Sequence, residues 1–167
     1  MPLTASLILV GFMGVGKTSV GRLLADQLGV SFCDLDRCIE DQYGSIDAIF
    51  KNKGEAHFRQ IEHHVFTQQM AKPSVQVVST GGGIVETLAI QEFLKAHPCV
   101  VWLRAQFETV IDRINQDANH IRPLANTQIK NRYQNRQDLY ETVSTFCIDV
   151  DQLSVSDVAQ ILINRYG

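Results

Sequence analysis

The sequence predicts an α/β fold built on a parallel sheet, and two observations support this. Short apolar runs typical of buried strands recur at residues 7–10, 30–33, 75–79, 99–103 and 145–148. Segments with a helical spacing of apolar residues separate each run from the next, which is the pattern of β-α-β units. The 99–103 run is nearly wholly apolar, as expected of a central parallel strand. With 167 residues, the chain is expected to form a single domain, 1–167.

Composition argues against several classes of protein. The chain is 45% hydrophobic and 20% charged, which is typical of a globular protein, and its net charge of −3 argues against a nucleic-acid-binding surface. No apolar run approaches the ~18 residues that a membrane-spanning helix needs. The four cysteines form no C-x-x-C pair, and the N-terminus lacks the basic region of a signal peptide. We therefore expect a reduced, cytoplasmic protein that binds neither nucleic acid nor a membrane.

A phosphate-binding motif follows the first strand run. Residues 11–18 read GFMGVGKT, which fits the pattern G-x-x-x-x-G-K-[ST], and helical spacing follows them. The glycines allow successive backbone N–H groups to turn toward a phosphate at the start of the helix. A glycine-rich turn without a ligand is the less favoured alternative. The predicted contacts to a nucleoside triphosphate are Gly11, Gly14, Val15, Gly16, Lys17, Thr18 and Ser19.

Within this motif, two side chains have specific expected roles. Lys17 would reach the β- and γ-phosphates, and the Thr18 hydroxyl would bind Mg²⁺.

Asp34 and Asp36 come directly after the second strand run. Ligands of an open α/β sheet lie at the carboxyl ends of the strands. Alternate residues of an extended segment point the same way, so we expect both carboxylates to face the phosphate site. The alternative is that an aspartate caps the following helix, which accounts for one of the two and leaves the other unexplained. The spacing favours a chemical role.

Residues 37–72 form a mostly helical insertion before the third strand, with breaks at Gly44 and Gly54. The insertion is longer than one crossover helix, which suggests a binding region for a second substrate, with Arg59 as a candidate contact. A surface ion pair with Glu62, three residues along, is the ordinary alternative for Arg59.

Three consecutive glycines, Gly81, Gly82 and Gly83, follow the third strand run. One glycine would normally serve a tight turn, which is the alternative here. The run therefore favours a loop that admits a ligand against bare backbone. A helix is expected to follow over residues 86–95.

A candidate lid follows the helix that ends near residue 114. The segment 115–121 is polar and leads to Arg122 and Pro123. An arginine on a polar loop suits closure over a transferring phosphoryl group, because its guanidinium donates to charge that develops on oxygen. A solvated loop with an incidental arginine is the alternative. Further along, Ser154 and Asp157 predict the capped start of the last helix.

Taken together, these motifs resemble the shikimate kinase family of P-loop proteins, in the nucleoside-monophosphate-kinase-like group, over essentially the whole chain. The matching motifs are residues 11–18; residues 34–37 with Glu40; Gly54 and Glu55 with Phe58, Arg59 and Glu62; residues 81–83; and residues 122–124 with Arg136 and Tyr140. The resemblance implies a three-layer sandwich in which helices flank a five-stranded parallel sheet of order 2-3-1-4-5. It also implies a substrate-binding region at about 34–62 and a lid at about 113–125, with Arg113 as a candidate second lid arginine.

The activity that this resemblance implies is transfer of the γ-phosphoryl group of ATP to the 3-hydroxyl of shikimate, with Mg²⁺, on the route to chorismate and the aromatic amino acids. The implied catalytic residues are Asp36, Lys17 and Arg122, and Arg122 also contacts the nucleotide. The implied substrate contacts are Asp36, Arg59, Gly81, Gly82, Gly83 and Arg136, with Arg59 and Arg136 holding the carboxylate. Thr18 and Asp34 would serve the metal, and a monomer is expected.

Two other functions stay open at this point. A gluconate-type kinase on the same fold would share the phosphate-binding motif but should lack the paired Arg59 and Arg136. A non-catalytic nucleotide-binding switch would keep residues 11–18 but has no need of Asp36 opposite the phosphate.

Overall fold

The computed structural model describes residues 3–74, 76–117 and 126–167. Its strands are β1 (Leu7–Val10), β2 (Phe32–Asp34), β3 (Val77–Ser79), β4 (Val100–Arg104) and β5 (Phe146–Asp149). Its helices are α1 (Lys17–Leu28), α2 (Leu35–Tyr43), α3 (Ile46–Met70), α4 (Leu88–Ala96), α5 (Phe107–Gln116), α6 (Asn126–Val143) and α7 (Val155–Tyr166). A short 3-10 helix, Ile84–Glu86, precedes α4.

The five strands form one parallel sheet in the order β2-β3-β1-β4-β5, with helices around it. This confirms the predicted α/β class and the strand order that the resemblance implied. In the central strand β1, Leu9 pairs with Ser79 of β3 and Val101 of β4, and all of β1 is fully buried. Because parallel strands share the edge at which they end, the segments after β1, β2 and β3 meet there.

The helix ends follow the local chemistry of the sequence. Gly29 ends α1 in the left-handed conformation, with φ +65°. Ser154 and Asp157 form the predicted capping box at the start of α7, in which each side chain bonds to the backbone N–H of the other residue. α1 packs against α7, and both helices bury their apolar faces.

The boundary of β2 differs from the prediction and changes the geometry of the two aspartates. β2 covers Phe32–Asp34 rather than 30–33, and Asp34 is also the N-cap of α2. Asp36 therefore lies in the first turn of a helix, and the expectation that residues 34–36 are extended is wrong. Helix formation begins here because the Asp34 side chain accepts a hydrogen bond from the backbone N–H of Arg37 at 3.4 Å.

Other boundaries shift by smaller amounts. β4 and β5 each begin and end one residue later than predicted, and β3 covers only Val77–Ser79. The helix predicted for 86–95 begins at Leu88, because Glu86 belongs to the preceding 3-10 turn. Asn115 and Gln116, predicted to lie in the lid loop, are helical because they complete the last turn of α5. Residues 118–125, which include Arg122, lie outside the described residues.

The two predicted glycine breaks are present in the helical insertion. Gly44 ends α2 with φ +86°, and Gly54 divides α3 into two helical segments with φ +82°. Positive φ favours glycine at both positions, because a Cβ atom would strain the backbone. The kink at Gly54 separates a short segment that begins at Ile46 from a longer one that carries Arg59 and Glu62.

The four cysteines all lie in the described part of the chain and are free thiols, buried or half-buried. The Sγ atoms of Cys33 and Cys38 are 3.5 Å apart, and burial together with this neighbour raises the pKa of Cys33 to about 12. Over residues 3–74, 76–117 and 126–167, no helix has the length and apolar character needed to cross a bilayer.

Candidate functional site

A cavity of about 910 Å³ lies at the edge where the strands end. It is lined by the phosphate-binding motif with the start of α1, and by residues of α2, α3, α5, α6 and the glycine loop after β3. The predicted site residues that line it are Gly14, Gly16, Lys17, Thr18, Ser19, Asp34, Asp36, Arg59, Gly81, Gly82, Gly83 and Arg136. The structure thus brings these residues together from distant parts of the sequence.

Two further predicted contacts, Gly11 and Val15, are buried within the phosphate-binding motif. Gly11 has φ +147°, and a Cβ atom there would lie 2.5 Å from the backbone oxygen of Leu103. Glycine is therefore required at this position for the loop to pass close to β4.

The phosphate-binding motif forms the N-terminal end of α1. Gly14 and Gly16 adopt positive φ values of +78° and +96°, and Lys17 is the first residue of the helix. The Lys17 ammonium donates to the backbone oxygens of Gly11 at 2.6 Å and Phe12 at 2.9 Å, and the residue is 8% exposed. A buried cation beside a helix N-terminus favours an anion in the adjoining cavity.

Thr18 and Asp34 form a pair of oxygen groups next to Lys17. The Thr18 hydroxyl donates to Oδ2 of Asp34 at 3.0 Å and lies 3.3 Å from the hydroxyl of Ser79. The other carboxylate oxygen of Asp34 caps α2, so the capping alternative is confirmed for Asp34. The same carboxylate nevertheless lines the cavity, which means that capping does not prevent a second role.

The glycine run after β3 is packed against charged side chains. A Cβ atom on Gly81 would lie 2.9 Å from Oδ1 of Asp36, and one on Gly83 would overlap the guanidinium of Arg59. The hydroxyl of Tyr140 donates to the backbone oxygen of Gly82 at 2.5 Å. The glycines therefore do more than form a turn, because they let charged groups approach the backbone closely. Their contact with a ligand stays a prediction.

Three carboxylates hold the guanidinium of Arg59. Its guanidinium donates to Glu62 at 2.8 Å, to Glu86 at 2.9 Å and to Glu55 at 3.2 Å. The Arg59 side chain is 16% exposed and that of Glu62 is 1% exposed, so the alternative of a surface ion pair is wrong.

Arg136 enters the same cluster from α6. It is 3% exposed, and its guanidinium lies 5.6 Å from the ring centroid of Phe12. Its Nη2 atom donates to Oε2 of Glu86 at 3.1 Å, which is the oxygen that also accepts from Arg59. Two guanidinium groups therefore converge on one carboxylate oxygen.

Within the described residues, three buried polar atoms of this cluster have no hydrogen-bond partner: Nε of Arg59, Nε of Arg136 and Oε2 of Glu62. Buried polar groups are usually satisfied, so atoms of this kind mark a place where a ligand or water completes the structure. Burial raises the pKa of Glu62 from 4.5 to about 7, against the opposing effect of Arg59, and the charge of Asp36 adds to the rise.

Sequence reasoning missed Glu86, which was expected only as the first residue of a helix. No periodicity or motif distinguishes it, and its partners are 27 and 50 residues away. Arg132 of α6 also lines the cavity, and the sequence patterns did not identify it as a site residue. Arg113 lines it too, from the last turn of α5, and donates to the backbone oxygen of Val150 at 3.0 Å.

Comparisons with known proteins agree on one family. A family model described as shikimate kinase matches residues 13–166. A shikimate kinase of Thermodesulfovibrio yellowstonii is 39% identical over 96% of this chain and 94% of the relative. One from Lactococcus lactis subsp. lactis is 36% identical over 97% of this chain and 98% of the relative.

Solved structures show the same likeness. The shikimate kinase of Acinetobacter baumannii, solved in complex with shikimate, has a TM-score of 0.87 and 36% identity over 97% of this chain and 93% of that one. A gluconokinase of Sinorhizobium meliloti has a TM-score of 0.70 at 17% identity over 96% of this chain and 90% of that one. At this low identity, the similarity to the gluconokinase shows only that the two proteins share a fold.

Proposed function

The chain belongs to the shikimate kinase family, and we propose that it transfers the γ-phosphoryl group of ATP to the 3-hydroxyl of shikimate, giving shikimate 3-phosphate and ADP. This reaction lies on the route to chorismate and the aromatic amino acids. The observation that carries the proposal is a single cavity with a phosphate-binding loop and two converging guanidinium groups, lined also by Asp36.

Phosphoryl transfer depends mainly on positioning and on stabilisation of charge. The proposed nucleotide site is the backbone of residues 11–19 with the Lys17 ammonium, which would exchange its bonds to loop carbonyls for bonds to phosphate oxygens. Asp36 would orient the attacking hydroxyl and accept its proton. Its place against Gly81 supports this role, because the close approach leaves the carboxylate beside the backbone proposed to hold the substrate hydroxyls.

The substrate carboxylate would be held by Arg59 and Arg136. Each guanidinium has a buried Nε–H without a partner in the described part of the chain, so each can still donate to an incoming carboxylate. A planar guanidinium binds a carboxylate with two parallel hydrogen bonds, which gives geometric selectivity as well as affinity.

Mg²⁺ is proposed to bind at Thr18 and Asp34. Their oxygens are 3.0 Å apart and are the hard ligands that this ion prefers. Among the described residues, no group of three or more histidine, cysteine or carboxylate side chains could hold a metal ion. Mg²⁺ commonly takes only one or two protein oxygens and completes its shell with waters and substrate phosphates. When bound, the ion would supply positive charge to the phosphate oxygens.

The lid proposal concerns residues at about 113–125, most of which lie outside the described residues. We propose that Arg122 donates to the phosphate oxygens when the lid closes and that Arg113 assists from α5, where it lines the cavity. The expectations of a cytoplasmic monomer that binds neither nucleic acid nor membrane rest on composition and on the family, and they stay predictions.

A coupled assay that measures ADP release decides between the candidate functions. We expect Mg²⁺-dependent turnover with shikimate and none with gluconate. Turnover with gluconate alone would favour the sugar-acid kinase, and nucleotide binding without turnover on either substrate would favour the switch.

A further inference from the structure

Glu86 occupies the position between the two arginines that are proposed to hold the substrate carboxylate. Its Oε2 atom accepts from Nη2 of Arg59 at 2.9 Å and from Nη2 of Arg136 at 3.1 Å. A substrate carboxylate that accepts from the Nε–H groups of both guanidiniums would lie close to the two Nη2 atoms that Glu86 holds, because these atoms belong to the same two planar groups. An internal carboxylate therefore lies where an external one is expected.

The three partners differ in their access to water. The Glu86 side chain is 35% exposed, whereas those of Arg59 and Arg136 are 16% and 3% exposed. Glu86 ends the short 3-10 helix, and its backbone N–H bonds to the backbone oxygen of Gly83. The Glu86 carboxylate can thus turn toward solvent while its backbone stays fixed, but the two guanidiniums stay in the cluster.

The other charges around Arg59 also favour displacement of Glu86 by the substrate carboxylate. Arg59 keeps the buried partner Glu62 at 2.8 Å and the exposed partner Glu55 at 3.2 Å when Glu86 leaves. Two carboxylates that share the same pair of cations repel each other. The entry of a second carboxylate and the departure of Glu86 are therefore linked.

We propose that Glu86 is a specificity-determining residue that competes with the substrate carboxylate for Arg59 and Arg136. This rests on the proposed function, because it requires those arginines to bind the substrate. An internal competitor excludes weakly held anions, which cannot displace it. A substrate that also bonds through its hydroxyl groups gains enough to do so.

The expected effect on the affinity for the substrate carboxylate follows from the fraction of molecules in which Glu86 is turned away from the two arginines. If that fraction is about a tenth to a third, the apparent affinity for the carboxylate is reduced roughly threefold to tenfold. Removing the charge of Glu86 should therefore raise the apparent affinity for the carboxylate by the same factor. Turnover at saturating substrate should change little, since Glu86 has left the arginines by then.

The test measures shikimate binding by calorimetry, and KM and kcat by the coupled assay, for wild type, Glu86→Gln and Glu86→Ala. Both variants should bind shikimate roughly threefold to tenfold more tightly and lower KM by the same factor, with kcat within about twofold. Methyl shikimate, whose ester carries no charge, should bind wild type and variants alike. Glu55→Gln is the matched control, because Glu55 pairs with Arg59 but is exposed, and its effect should stay below about twofold.

Weaker or unchanged shikimate binding by both Glu86 variants would overturn the proposal and would show that Glu86 positions the arginines instead. Equal tightening for the methyl ester would also overturn it, because the effect would then not depend on charge. Wild-type protein that binds shikimate without phosphorylating it would contradict the proposed function alone. If no variant binds shikimate, both proposals fall.

Discussion

We expect Glu62→Gln to gain stability relative to wild type as the pH rises from 5 to 8. Glu62 is fully buried, and burial raises its pKa from 4.5 to about 7 although Arg59 donates to it at 2.8 Å. Between these two values the folded protein holds a proton that the unfolded chain has released. The contribution of Glu62 to the free energy of unfolding is therefore fully present below pH 4.5 and is lost as the pH rises through about 7.

The size of this loss follows from the same two values. One pKa unit corresponds to about 1.36 kcal/mol, so the full rise from 4.5 to about 7 corresponds to about 3.4 kcal/mol. About 0.8 kcal/mol of this is already lost at pH 5, so the wild type should be about 2.5 kcal/mol less stable at pH 8 than at pH 5 through this group alone. Glutamine has nearly the same shape and does not titrate. The difference in stability between variant and wild type should shift by that amount in favour of the variant.

Urea denaturation at pH 5, 6, 7 and 8, with and without the substitution, measures this difference. Comparing the two proteins cancels the titration of all other groups. Glu92→Gln removes an exposed glutamate that pairs with Lys95, and as the matched control its difference from wild type should stay within about 0.5 kcal/mol. A difference for Glu62→Gln that is equally flat would refute the reasoning, because it would mean that Arg59 keeps Glu62 ionised throughout.

Three further substitutions test the proposed roles in the cavity. Asp36→Asn should lower kcat by ~10²-fold or more while ATP affinity, measured by calorimetry, stays near the wild-type value. Arg136→Ala should cost ~2–5 kcal/mol of shikimate binding, and a loss below about 1 kcal/mol would contradict the carboxylate role. Gly83→Ala should displace the guanidinium of Arg59 and raise KM about tenfold, or ~1.4 kcal/mol. An unaltered KM would contradict a role of Arg59 in substrate binding.

The features that the sequence predicted correctly are those set by local chemistry. The strand at Leu7–Val10 and the phosphate-binding loop after it follow from a short apolar run and from glycines spaced for positive φ. The start of α7 at Ser154 follows from a capping pair three residues apart. The order of the sheet is different, because β2 pairs with β3 across the two helices α2 and α3. Periodicity carries no information on that pairing, and only the resemblance implied it.

Asp34 and Asp36 show how a site can be predicted through incorrect geometry. Both line the cavity, as expected, but they do so from a helix cap and a first helical turn rather than from an extended segment. The ends of neighbouring parallel strands converge whatever the chain does next. The position of the two aspartate side chains therefore did not depend on the extended backbone that was assumed for them.

The cluster around Arg59 could not be predicted, because its character depends on burial that distant segments impose. A glutamate three residues after an arginine looks the same in sequence whether it is solvated or, like Glu62, fully buried. Glu86 gains its role only because α6 brings Arg136 next to it.

In the described part of the chain, this buried cluster contains polar atoms without hydrogen-bond partners, and these atoms influence which ligands it favours. Ion pairs offset much of the cost of burying charge, but two guanidinium N–H groups and one carboxylate oxygen still lack partners within the described residues. A ligand with a carboxylate and adjacent hydroxyl groups can satisfy all three of these atoms at once. A neutral ligand can accept from the guanidinium donors only through hydroxyl oxygens, which form weaker hydrogen bonds with them than a carboxylate does. The unpaired atoms of Arg59, Arg136 and Glu62 therefore favour a hydroxylated carboxylate over a neutral sugar, although both acceptors would face the same phosphate-binding loop.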